Sequence, residues 1–379
     1  MCVVDPMSGS GTTIVAARLQ GHRALGFDTD PLALLLSRAW SSDVHTEDVR
    51  HLAAKALSDA QRHYQSLSAG RAYPKNANQE TRAFIRYWFD LTSRRQLSAL
   101  SASIKKVKSS NERAVLWCAF SRMIITKGPG VSLATDVSHS RPHRTYEIAP
   151  IKPFERFLLA VEQVLRSSCF PSEKRLPEAS IQHGDARSIP LKDAVADLVV
   201  TSPPYLNAID YLRGHKLSLV WMGHQIDELR NLRSTNIGSE RFRSDVSSVH
   251  YRYTVEKIVR NFASLPPRSQ SMLIQYFSDM DRVLAEISRV LKRSGEALIV
   301  VGNSTIRGIF INNSKVLTSL AKANGLHFTS ARRRELQESR RYLPPPRNIT
   351  SGTTLRSRMN EEVILTFRKV SAAARSRQS

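Results

Sequence analysis

Val3-Val4-Asp5-Pro6-Met7-Ser8-Gly9-Ser10-Gly11-Thr12-Thr13 is the stretch that decides the fold class. Two β-branched residues form a short strand that ends at Asp5, and Pro6 and the glycines that follow turn the chain away. Gly9 and Gly11 allow a sharp turn, because a residue without a Cβ accepts unusual backbone angles and close approach of a ligand. Thr12 to Leu19 then reads as a helix, with Gly21 as its stop. Ala24-Leu25-Gly26-Phe27 is a second strand ending at Asp28. Pro31 suits the first turn of a further helix that runs to about Trp40. Strand, helix, strand, helix is the opening of a parallel sheet with covering helices.

Downstream the pattern changes. Residues 46–179 are rich in helix formers, Arg, Lys and Ser; Arg82–Trp88 and Ala114–Ile125 have helical apolar spacing. Gly128-Pro129-Gly130 and Ser138 to His143 read as loops. A structureless loop of such length does not fit inside a compact domain, so a helical insertion is expected here. The sheet pattern returns with Ser180-Ile181-Gln182, which leads to Gly184-Asp185. Ala196 to Val200 is then a buried strand running straight into Thr201-Ser202-Pro203-Pro204-Tyr205. A second polar stretch covers about Asn207 to Ser269. Met280–Leu291 reads as an amphipathic helix, Gly295–Val301 as a strand and Val316–Asn324 as a helix stopped by Gly325. Leu326–Arg332 and Val363–Phe367 form a closing antiparallel pair. The reading is an α/β chain with a doubly wound, mostly parallel seven-stranded sheet. Its sheet domain is discontinuous (1–45 and 180–370), the helical insertion is 46–179, and 371–379 is a disordered basic tail.

The 379 residues carry 56 Lys and Arg against 33 Asp and Glu, a formal net charge of +23. Such an excess attracts polyanions, of which nucleic acid is the commonest and an acidic membrane surface the competitor. No apolar run reaches the roughly 18 residues that would suggest a membrane span. The opening residues lack the basic start and apolar stretch of a secretory signal. A cytoplasmic, nucleoid-associated protein is therefore expected. Cys2, Cys118 and Cys169 lie far apart, and the 11 histidines show no HExxH spacing, so no metal site and no disulfide framework are expected.

Each of the first strands ends in a carboxylate. Asp5 suits a cationic, amine-bearing ligand better than a phosphate. Asp28 suits hydrogen bonds to both hydroxyls of a ribose, and also an N-cap for the helix begun at Pro31. Asp185 would accept a hydrogen bond from an adenine amine. The two-glycine turn alone is an ordinary connection; with three strand-end aspartates it reads as a ligand site. The second motif is stiffer. Adjacent prolines fix two backbone dihedrals and remove two N–H donors, leaving carbonyl acceptors with fixed directions. Ser202 Oγ and the Pro203 carbonyl would accept from the exocyclic amine of cytosine or adenine, and Tyr205 offers a face for a base drawn out of its stack. No cysteine lies near Ser202 in the sequence, which argues against a covalent thiol route.

On these residues the chain resembles the S-adenosylmethionine-dependent DNA amino-methyltransferases of the N4-cytosine/N6-adenine family. Asp5 to Thr13 is similar to their cofactor motif, and Val200 to Tyr205 to their catalytic motif. The Thr-Ser-Pro-Pro-Tyr form is most similar to the cytosine-N4 branch; adenine-N6 enzymes more often carry Asp or Asn where Ser202 stands. The resemblance implies a Rossmann-like class I methyltransferase fold and S-adenosylmethionine as cofactor, at Asp5, Pro6, Gly9, Gly11, Thr12, Asp28, Asp185 and Thr201. It implies double-stranded DNA as substrate, base flipping, and catalysis at Ser202, Pro203, Pro204 and Tyr205. The insertion becomes a candidate target-recognition region and a restriction endonuclease a candidate partner. Adenine-N6 methylation, RNA or protein amino-methylation, and an inactive DNA-binding remnant are the competing readings.

One departure concerns the start of the chain. The family places a helix ahead of the first strand, whereas here the strand begins at residue 3. A truncated start, an upstream-encoded segment supplied by another chain, or weak cofactor binding would each follow. The long insertion is a second departure. Three basic segments complete the reading: Arg141–Arg144, Arg230–Arg243, and Arg332-Arg333-Arg334 with Arg340-Arg341 and Leu343-Pro344-Pro345-Pro346. Each alone is a solvated face, while together they suggest a surface for DNA phosphates, with Tyr251, Tyr253 and Tyr342 available for stacking.

Overall fold

A computed structural model of the chain describes residues 1–124, 126–135, 142–167, 176–206, 210–238, 248–335 and 361–369. Its centre is a seven-stranded sheet built from β1 (Cys2–Asp5), β2 (Arg23–Asp28), β3 (Ala179–His183), β4 (Ala196–Thr201), β5 (Leu291–Gly302), β6 (Leu326–Glu335) and β7 (Glu361–Lys369). The order across the sheet is β3-β2-β1-β4-β5-β7-β6. Neighbours pair in parallel except β7, which is antiparallel to both β5 and β6. The chain winds outward from β1 to β3, then returns to lay β4 on the other side of β1. This is the doubly wound fold expected from the opening motif. The crevice at the carboxyl ends of β1 and β4, where the winding reverses, is where such sheets bind ligands.

Alternation along the strands explains the layers. Val3 packs with Ile14 and Ala17 of α1 (Thr12–Leu19) and Leu34 of α2 (Pro31–Ser41). Val4, the next residue, points to the opposite face. There it joins a core with Val283, Leu284 and Ile287 of α11 (Pro267–Val290) and Val316, Leu317 and Leu320 of α12 (Asn313–Ala323). The bounds of α1 coincide with the sequence reading. α11 begins well before Met280, because Pro267 starts it and the buried run Leu273–Met280 belongs to it.

Residues 46–167 hold α3 (Thr46–Ser66), α4 (Gln79–Trp88), α5 (Leu91–Lys105), α6 (Ser110–Ile124) and α7 (Pro153–Ser167). They share a second apolar core. Val49, Ala53, Ala56 and Ala60 form its stripe on α3, three or four residues apart as one helix face requires. The polar stretch from 207 to 269 is largely helical where described: α8 (Leu212–Met222), α9 (Ile226–Thr235) and α10 (Ser248–Ile258). Leu217, Val220 and Trp221 of α8 enter the insertion's core, and the Trp221 ring meets Phe89 edge-on at 5.2 Å. The helix that follows the Ser202–Tyr205 turn is thus anchored in the insertion. Among the described residues no helix is long and apolar enough to cross a membrane. Gly128–Gly130 lies outside helix and strand, while Ser138–Arg141, the loop bearing Leu343–Pro346 and the 371–379 tail lie outside the described residues.

Candidate active site

The two motifs, some 195 residues apart in the chain, meet at the switch point. Val3 pairs with Leu198 and Val4 with Val199, so Asp5 and Thr201 end adjacent strands. The Thr201 hydroxyl donates to Asp5 Oδ1 at 2.8 Å. Asp5 is buried and also takes hydrogen bonds from the Met7 amide and Thr13. It has no ion-pair partner among the described residues. Burial pushes its carboxyl up to about 6, against the three hydrogen bonds; the charge of Asp28 acts in the same direction as burial.

The glycine turn is built by its neighbours. The Ser8 amide donates to the Phe27 carbonyl and the Gly11 amide to the Ser8 carbonyl, at 2.8 and 2.7 Å. Asp28 takes the Gly9 amide on Oδ2 and the Asp30 amide on Oδ1, both at 2.9 Å. Burial raises its carboxyl too. The two glycines do different jobs. Gly9 has φ +50, and a Cβ there would meet nothing within 4 Å, so the turn is open on that side. Gly11 has φ +85 and lies so close to α2 that a Cβ would come within 2.5 Å of Ser37 Oγ. Pro6 is buried between Asp5 and Met7, and Thr12 begins α1.

One local expectation is corrected. The N-cap of α2 is Asp30, whose Oδ1 accepts the Leu32 amide at 2.8 Å. Asp28 instead takes the Asp30 amide, because each carboxylate reaches the amide two residues ahead. The other oxygen of Asp30 lies 2.6 Å from His215 Nδ1 of α8.

Asp185 follows β3, as expected, but it is held by a residue the sequence reading missed. Arg187 donates to it from Nε and Nη2, at 3.0 and 2.7 Å. The same guanidinium meets buried Asp279 of α11 at 2.9 Å and the Thr235 carbonyl at 2.7 Å. Burial alone would raise the Asp185 carboxyl; the hydrogen bonds and charge of Arg187 outweigh it and hold the group low. Nothing local marked Arg187, since its second anion is 92 residues away.

The Ser202–Tyr205 turn leaves Ser202 exposed at the end of β4. Ser202 Oγ is 3.3 Å from the Val300 carbonyl and 3.4 Å from the Tyr205 hydroxyl. Tyr205 donates to Glu362 Oε1 of β7 at 2.7 Å. Glu362 is buried and paired with Arg334 of β6. From the other side, buried Tyr276 of α11 donates to the Pro204 carbonyl at 2.9 Å. No donor among the described residues takes the Pro203 carbonyl. The turn is therefore pinned on both flanks by Glu362 and Tyr276, while Ser202 Oγ and the Pro203 carbonyl remain acceptors.

The basic segments have mixed fates. Arg332, Arg333 and Arg334 lie on the exposed edge strand β6. Arg144 covers the ring of Tyr87 at 5.2 Å. Arg230 pairs with Glu80, and Arg233 with Asp210. Tyr253 is exposed. Arg141, Arg241, Arg243, Arg340, Arg341 and Tyr342, together with the side chain of Tyr251, lie outside the described residues.

No family model matches the chain. In sequence it is similar to the type II methyltransferase M.MvaI of Kocuria varians, 23% identical over 391 residues, a match covering 95% of this chain and 83% of that one. It is also similar to the type II methyltransferase M.BsoBI of Geobacillus stearothermophilus, 21% identical over 326 residues and covering 78% and 60%. Among solved structures, a SAM-dependent methyltransferase of Methanosarcina mazei aligns at a TM-score of 0.35 and 9% identity, over 97% of this chain and 92% of that one. The similarity to M.MvaI thus runs along nearly the whole chain, and the similarity to type II methyltransferases agrees with the family the two motifs resemble.

Proposed function

We propose that this chain transfers the methyl group of S-adenosylmethionine to an exocyclic amine of a base in duplex DNA, with cytosine N4 as the acceptor. The Thr201–Asp5 hydrogen bond carries the reading, because it ties an amine-accepting turn to a turn suited to a cationic, nucleoside-bearing ligand. The donor set fits that ligand. Asp5 is a buried carboxylate with hydrogen bonds but no cation beside it among the described residues, and the Gly9 side of the turn is open. Bound there, S-adenosylmethionine supplies a sulfonium methyl group for in-line displacement. Asp5, directly or through the turn it orders, favours the ligand's positive end. Asp28, held by the Gly9 and Asp30 amides, offers its remaining lone pairs to ribose hydroxyls. Ser202 Oγ and the Pro203 carbonyl accept the amine hydrogens and aim the nitrogen lone pair at the methyl group. Tyr205 stacks on the flipped base. Catalysis is positioning rather than covalent chemistry. Ser202 in place of an acidic or amide residue favours cytosine.

Incubation with labelled S-adenosylmethionine and duplex DNA tests the proposal: label transferred to DNA supports it. No cofactor binding by calorimetry, even with DNA present, sinks it. Label found only on RNA or protein would move the substrate.

Two further outcomes are expected. Asp28→Ala should weaken cofactor binding by about 1–3 kcal/mol, the effect of losing hydrogen bonds to a carboxylate; unchanged affinity in calorimetry would remove the ribose assignment. The second concerns pH. Asp5 ionises near 6 in the free protein. A bound cation favours the ionised form and lowers that value. Cofactor affinity should therefore be fully developed above pH 6 and fall as the pH drops below it. Asp5→Asn should flatten this profile. A parent Kd that does not change between pH 5 and 8 would contradict it.

A further inference from the structure

α8 carries a group of cations that the catalytic turn does not use. Asp210 precedes the helix, and its Oδ2 accepts Arg213 Nε at 3.1 Å and also Arg233 Nε of α9. Two guanidiniums thus converge on one carboxylate oxygen. Lys216 lies one helical turn beyond Arg213, on the same face. It is half-buried, its ammonium 5.2 Å from the centre of the Phe84 ring, and no carboxylate lies within ion-pair distance of it among the described residues. Burial, then the like charges of Arg233 and Arg213, push its ammonium below the usual lysine range; Asp210 opposes them. Nearby Arg230 is already paired with Glu80. Among the described residues, three cations therefore face one carboxylate. Drawing like charges together in a partly desolvated place is unfavourable unless an anion joins them.

The position of the group narrows the anion. Arg213 and Lys216 sit on the helix that follows the Ser202–Tyr205 turn, which Leu217, Val220 and Trp221 anchor in the insertion, and Arg233 sits on the next helix, α9. Arginine forks already engaged on one edge keep other N–H groups for a second oxyanion, and lysine adds a point charge. We infer that Arg213, Lys216 and Arg233 bind a backbone phosphate of the DNA strand beside the target base. The inference rests on the proposal that duplex DNA is the substrate.

The test is fluorescence-anisotropy titration of a labelled duplex over a series of KCl concentrations, with cofactor affinity measured in parallel. Lys216→Gln keeps much of the stem against Phe84 and removes the charge. It should weaken binding to every duplex sequence and reduce the slope of log K against log salt by about 1, as expected for one lost phosphate contact. Cofactor affinity should not change, and Lys216→Arg should restore the slope. Asp210→Asn should act in the opposite direction and tighten DNA binding, a result that loss of folding cannot imitate. Unchanged slope and affinity in a folded Lys216→Gln, or weaker binding in Asp210→Asn, would overturn the phosphate site. A parent protein that binds cofactor but no duplex would overturn the DNA proposal itself.

Discussion

Replacing Ser202 by alanine is expected to lower kcat by about 100-fold, the scale of losing one aligned polar group at a site of developing charge, while cofactor affinity stays at the parent value. As the methyl group moves, the amine nitrogen becomes positive and its hydrogens become stronger donors. An acceptor held against them gains most at the transition state, so its loss falls on kcat rather than on binding. Ser202 Oγ is placed for this: its own hydrogen has the Val300 carbonyl 3.3 Å away, which leaves lone pairs for the incoming amine. None of its contacts reaches the glycine turn, which is why cofactor binding should survive. Single-turnover kinetics with calorimetry on the same variant would check both halves. Full turnover would remove Ser202 from the clamp.

Gly11→Ala is expected to destabilise the fold by about 2–4 kcal/mol, combining left-handed strain at a non-glycine residue with overpacking. The backbone there has φ +85, and the new methyl would lie 2.5 Å from Ser37 Oγ and 2.8 Å from Ser37 Cα. The second contact is with backbone, which cannot rotate away. α2 must shift, and with it Asp30 and the Asp28 carboxylate that orders the turn. Such a loss is a large part of the roughly 5–15 kcal/mol by which domains are stable. Gly9→Ala is the contrast: with nothing within 4 Å of its Cβ position, only the backbone strain at φ +50 remains, about 1 kcal/mol. Urea unfolding of the two variants should separate them; equal midpoints would mean that the turn does not pack on α2 as described.

Features set by neighbours in sequence were legible from it. Val3-Val4-Asp5 followed by two glycines located β1, the turn and α1. The buried run from Ala196 to Val200, leading straight into the proline pair, located β4 and the turn that carries Ser202. What depended on distant partners was not legible. Arg187 gains its role from Asp279, and Glu362 gains its role only because the antiparallel pairing of β7 with β5 sets it beside Tyr205. α8 escaped notice because Leu217 to Trp221 is buried on consecutive positions, which leaves no one-sided pattern to read. Asp28 was read as a cap from its residue type alone; the cap is Asp30, because the helix begins at Pro31.

The most direct test of the central claim is to express the chain in cells whose DNA is unmethylated, digest that DNA to nucleosides and identify the methylated ones by mass. N4-methylcytosine is the predicted product, at a much lower level when Ser202→Ala is expressed instead. N6-methyladenine in its place would keep the enzyme and change its target. DNA without any methylated base, from cells that hold the folded protein, would contradict the account.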